Sequence, residues 1–149
     1  MNYAGAEEAM LDAWVKATLE AGVDWNAIST GLGTRIYDRL APKGALYPYI
    51  VFQAQTPPDV VRGVGAAEVM VDSMYVVKAV AQGNSYGSLA EVASEVHKLM
   101  TKPNGEEFTD GFVWTSIRER GFSMTESEAT SQYRSLGAVY RIQAQAKIN

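Results

Sequence analysis

The sequence contains no cysteine and a single histidine, His97. The missing thiols exclude disulfide scaffolds, thiolate zinc sites, cysteine nucleophiles and thiol redox chemistry. One imidazole excludes any site that needs two. Cations are in deficit, with 13 Lys and Arg against 17 Asp and Glu, a formal net charge of −4 and a pI near 5.0. That balance argues against a nucleic-acid binder that works by neutralising phosphates. No apolar run approaches the ~20 residues of a membrane span. Met1 to Met10 carries Glu7 and Glu8 and no basic residue, unlike a signal peptide. The expectation is a soluble, cytoplasmic protein or a part of an assembly made there, with no membrane contact.

What is present suits a folded chain. The 149 residues are 47% hydrophobic and 20% charged, which points to a globular rather than a disordered protein. The length allows one domain, 1–149, that needs no disulfide or metal staple. Leu89, Val92, Ala93, Val96, Leu99 and Met100 recur at the spacing of one helical face and predict a helix over 86–101. Ser88 with Glu91 reads as its capping box, and Pro103, Asn104 and Gly105 stop it. A second helix is expected over 6–21, with Met10, Ala13, Trp14 and Ala17 on one face and Gly22 as its cap. Asp24 is placed to cap a short turn over 25–28.

Four stretches read as strands: 46–55, 68–82, 111–120 and 132–148. The last alternates most clearly, with Leu136, Ala138, Tyr140, Ile142, Ala144, Ala146 and Ile148 pointing one way. The expected fold is α+β, a mostly antiparallel sheet of about four strands with two helices packed on one face, in the order α-β-β-α-β-β.

A catalytic site is hard to assemble from these residues. Asp12, Asp24, Asp38, Asp59, Asp72 and Asp110 are scattered, and Glu7-Glu8 and Glu106-Glu107 are adjacent pairs that do not face one site. His97 sits beside the apolar stripe of its helix without a partner motif. The glycine pairs at 31 and 33, 63 and 65, and 83 and 87 match neither a P-loop nor a dinucleotide fingerprint. No cofactor or metal is expected. Assembly fits better. The segment Thr56–Ala67 reads as a loop longer than a hairpin needs, and it carries Pro57, Pro58, Val60, Val61, Arg62 and Val64. Its valines either fold back on their own core or meet another subunit. Acidic residues crowd the first 24 positions, whereas Arg134, Arg141 and Lys147 lie near the other end. These opposite charges are either solvated surface or complementary contacts within a chain or between neighbours. Together these nine residues are the candidate subunit or tube interface.

The run Gly33-Thr-Arg-Ile-Tyr-Asp, followed by Ala41-Pro-Lys-Gly-Ala-Leu-Tyr-Pro-Tyr-Ile-Val-Phe-Gln53, resembles the tail completion family of long-tailed bacteriophages. Residues 74–100 and 137–145 fit the same order of elements. The resemblance implies a virion tail protein at the head-proximal end, assembled in the host cytoplasm. It implies a tail terminator, a homo-oligomeric ring, commonly a hexamer, that sits on the tail tube protein and stops tube growth. The ring would join the tail to the head-tail connector protein, and DNA would pass through it without specific binding. The alternatives are another head-tail connector or a minor tail protein. A different class, a small-ligand-binding or enzymatic α+β domain, also stays open.

Overall fold

Alternating apolar and polar residues over 68–82 and 132–146 form the paired centre of the molecule. The computed structural model describes residues 4–22, 24–28, 31–55, 59–62, 68–83, 86–127 and 131–146. Along them run α1 (Ala4–Glu20), α2 (Trp25–Ile28), a 3-10 turn (Leu32–Thr34), β1 (Ile36–Asp38), β2 (Tyr49–Ala54), β3 (Asp59–Arg62) and β4 (Glu68–Gln82). Then come α3 (Tyr86–Met100), β5 (Glu106–Phe108), β6 (Gly111–Ser127) and β7 (Gln132–Ala146).

The four-stranded, mostly antiparallel α+β fold expected from the sequence is not the one that forms. The molecule is mostly sheet, with six strands in the path β1-β2-β4-β7-β6-β5 and a seventh, β3, on β4. The sheet is mixed, because β1 runs parallel to β2 while the other pairs are antiparallel. The described helices are three, not two. The extra strands β1, β3 and β5 hold three or four residues each, too few for a period of two to stand out. The segment 56–67 is not simply a loop, since β3 lies within it and pairs Asp59 with Asp72 and Val60 with Val71. Residue 88 lies inside α3 rather than before it, so the expected capping box does not form at the helix start.

The core gathers on one face of the sheet. α1 contributes Leu11, Trp14, Val15 and Leu19, and α3 contributes Leu89, Val92, Val96 and Met100. They meet Tyr75, Val77 and Ala79 of β4 and Ala138, Tyr140 and Ile142 of β7. Burying the four large side chains of α3 contributes roughly 6–12 kcal/mol gross. α1 ends against Trp25, whose buried indole Nε1 donates to the Leu19 carbonyl at 2.6 Å. A Cβ at Gly22 would stand 2.3 Å from that nitrogen. Gly22 is therefore small because the indole covers it, and not because the helix end needs a positive φ.

The helix-free face curls. Lys78 Nζ lies 5.5 Å from the centre of the Phe122 ring. Arg120 Nη2 donates to Gln55 Oε1 at 3.4 Å, across β7 and β4. Val51, Val80 and Val139 are buried on this face although no helix covers them. Gly137 makes the curl possible. It pairs with Lys78 on one side and Phe122 on the other, and a Cβ there would stand 2.0 Å from the Val77 carbonyl oxygen. Gly137→Ala is expected to lower stability by about 1–3 kcal/mol, because the obstacle is backbone and cannot swing aside. Urea unfolding measures this, and a loss below about 0.5 kcal/mol would mean that the β4–β7 ladder tolerates the methyl.

Candidate interaction surfaces

Of the nine residues expected at an interface, Pro57, Pro58, Val64 and Lys147 lie outside the described residues. Val60, Val61 and Arg62 are in β3, where backbone pairing with β4 places them on the sheet rather than on a free loop. Arg134 and Arg141 both belong to β7, and the two are not brought together. Arg141 opposes Met74 on the helix-free face, whereas Arg134 opposes Ala81 on the core face, near the end of the β6–β7 hairpin. An odd spacing along an unbroken ladder puts two side chains on opposite faces. Arg141 Nε also lies 3.6 Å from Asp72 Oδ1 and 3.4 Å from Glu119 Oε1. Two carboxylates share its charge, so it is not a free basic contact.

The acidic first helix finds its cation close by. Arg39, at the end of β1, reaches Glu8, both oxygens of Asp38 at 2.7 and 2.8 Å, and Asp12 Oδ2 at 3.3 Å. Asp12 accepts a further bond through Oδ1 from the buried Tyr75 hydroxyl at 2.6 Å. Burial first, and then Asp12, push the Tyr75 phenol far above its usual value, so it stays a donor. Arg39 holds a φ of 65°, and its amide donates to the Phe52 carbonyl at 2.9 Å. The guanidinium thus ties α1 to β1, and Asp12 carries the link on to Tyr75 of β4. No motif marks Arg39 in the sequence, because its partners on α1 are 27 and 31 positions away.

The segment 39–48 crosses from β1 to β2 and is shaped by a turn. Ala45 N–H donates to the Pro42 carbonyl at 3.1 Å, with Gly44 at φ 84°, the positive φ a type II turn needs at its third position. Arg35 Nη1 donates to the Tyr47 carbonyl at 3.2 Å, and Tyr47 stacks on Tyr49 and Tyr133 with centroids 5.2 and 5.9 Å apart. This tied loop leaves Leu40 83% and Leu46 65% exposed. In the sequence, Pro42 and Gly44 mark only a link.

Cavities open on the surface among the described residues. One of about 300 Å³ lies on the helix-free face between β2, β4 and Phe122. One of about 530 Å³ lies between α1, the end of α3 and β5. A third, of about 440 Å³, lies between Asp24 and α3. Lys78 is the ionisable group of the first cavity, and it faces the Phe122 ring. His97 is exposed near the end of α3, with its Nδ1 3.4 Å from the Tyr140 hydroxyl, itself pushed up to about 12 mainly by burial. Among the described residues no group of three His, Cys, Asp or Glu could hold a metal ion, and no helix is long and apolar enough to cross a membrane.

No family model matches the chain, and no curated protein matches it. A solved chain does share its fold. It belongs to the virion of a native gene transfer agent (GTA) particle, at a TM-score of 0.64 and 18% identity, and the match covers 89% of this chain and 92% of that one. The likeness extends over nearly all of both chains, so it concerns the whole arrangement of strands and helices. At this identity the likeness shows a shared fold and does not select the tail completion family.

Two outcomes follow from the Arg39 cluster. Tyr75→Phe removes a hydrogen bond to a carboxylate and leaves Asp12 on Arg39, so a loss of about 1.5–3 kcal/mol is expected in denaturant unfolding. Asp38 is held above its usual value by burial and by Asp12, against the pull of Arg39. It therefore binds more protons folded than unfolded just above pH ~4, and stability declines as pH rises through that window. Asp38→Asn should flatten the fall of the melting temperature as pH rises just above ~4, and an unchanged slope would exclude Asp38 as its source.

Proposed function

We propose that the chain is a structural subunit of a phage-like virion, acting as a tail terminator. Copies form a ring on the head-proximal end of the tail tube, stop its growth and present a surface to the head connector. The observation that carries this reading is the fold shared, over 89% of the chain, with a chain of a gene transfer agent virion. The residue resemblance over 33–53 supports the tail position. Such a role works through shape and contact area, and the net charge of −4 suits a conduit through which DNA slides without being held. The acids that balance Arg141 on the helix-free face act in the same sense.

Purified protein is expected to form closed rings, counted by native mass spectrometry and seen by electron microscopy. In tails assembled with and without it, tube length should be fixed only in its presence. Tubes that stop at the same length without it would refute the terminator role. Immunogold label at the far end of the tail, away from the head, would refute the head-proximal position.

A further inference from the structure

The structure carries an apolar projection and, on a different part of its surface, a cavity with an apolar floor and a polar, charged margin. The projection is the 39–48 loop with Leu40 and Leu46, held by the Pro42–Ala45 turn, by Arg39 on the Phe52 carbonyl and by Arg35 on the Tyr47 carbonyl. Scattered exposed leucines are ordinary, but two on one fixed loop form a preorganised contact that loses little entropy on docking. The cavity is the 530 Å³ space lined by Ala13, Trp14, Ala17, Thr18, Leu99 and Phe108. Small side chains of α1 keep it open, and Trp14 is fixed by its Nε1 donating to Glu106 Oε1 at 2.9 Å. The loop follows β1 at one margin of the sheet, and the cavity adjoins β5 at the other.

Charge selects the occupant. The loop brings the exposed Lys43 and, between Leu40 and Tyr47, no acid, while the cavity lining carries Lys102, Glu106 and Asp110; Lys102 Nζ lies 3.2 Å from Glu106 Oε2, so Asp110 gives the lining its excess of negative charge. We propose that the 39–48 loop of one copy seats Leu46 in the α1–β5 cavity of the next copy, with Lys43 facing Asp110. Projection and cavity are different surfaces, so the contact is head-to-tail and propagates until it closes. It rests on the ring reading above and names the ring's subunit contact.

The chain has no cysteine, so introduced thiols report one contact without background. The double variant Leu46→Cys with Ala21→Cys, at the cavity rim, is treated with a short bismaleimide. A ladder extending beyond the dimer is expected. Leu46→Cys with Ser94→Cys, on the exposed side of α3, should give none. Leu40→Asp with Leu46→Asp should raise the concentration needed for assembly about tenfold or more while the monomer melts as before, because both side chains face solvent. Rings that form normally in the aspartate variant, or that yield no ladder, overturn this contact and leave the ring standing. A ladder that stops at the dimer overturns the head-to-tail geometry. A wild-type chain that stays monomeric at every concentration overturns both the contact and the ring.

Discussion

The antiparallel ladder between β4 and β7 joins Val71 to Ala144 at one end and Gln82 to Tyr133 at the other. Both strands are covered on each edge, β4 by β2 and β3, and β7 by β6, so these two strands have no free edge over most of their length. Their inward residues anchor α1 and α3, and their outward residues line the curled face. Gly137 sits at the middle of that ladder, where a side chain would strike the Val77 carbonyl. The close approach lets Phe122 and Lys78 meet over the glycine. The core of one face and the groove of the other therefore depend on one pairing.

Electrostatics follow from the same frame. The pairing sets Asp72 opposite Gln143, next to Arg141, and the bulge between Arg118 and Arg120 brings Glu119 to the same guanidinium. A cation already shared by two carboxylates releases few counterions on meeting a phosphate. On the helix side, three carboxylates surround one arginine at Arg39. In both places cations are used to hold the fold. Among the described residues, Glu8 and Asp12 of the acidic helix meet Arg39, and Arg141 of the last strand meets Asp72 and Glu119.

Legibility depended on element length. The fifteen residues of β4 and of β7, and the α3 stripe, repeat their period often enough to be read without coordinates. β1, β3 and β5 could not be read this way. They become strands because a neighbour offers unpaired backbone groups, as β4 does to Val60 and Val61. β6 shows both cases. Its first half alternates against the core, but from Arg118 to Ser127 every residue except the half-buried Phe122 is exposed, and no alternation marks them as strand. The placement of the candidate interface residues was hidden for a related reason. Arg134 and Arg141 look like one basic stripe in sequence, and only the strand's period of two shows that they face apart. Leu40 and Leu46 flank a Pro–Gly turn and look like ordinary loop residues until their exposure is known.

The long margin of β6 bears on how copies would join. Among the described residues, β5 pairs only Gly111 to Val113 and a bridge from Lys102 meets Ser116, so no strand covers 117–127 on that side. An open edge of that length invites uncontrolled strand addition. Here it carries Arg118, Glu119, Arg120 and Glu126, and a bulge breaks its register between Arg118 and Arg120. Charge and irregularity are the usual means of blocking edge pairing. A sheet guarded at this margin has reason to assemble through side chains instead. A fixed loop entering a shaped cavity sets both the distance and the angle between copies, and that angle decides whether a head-to-tail chain closes.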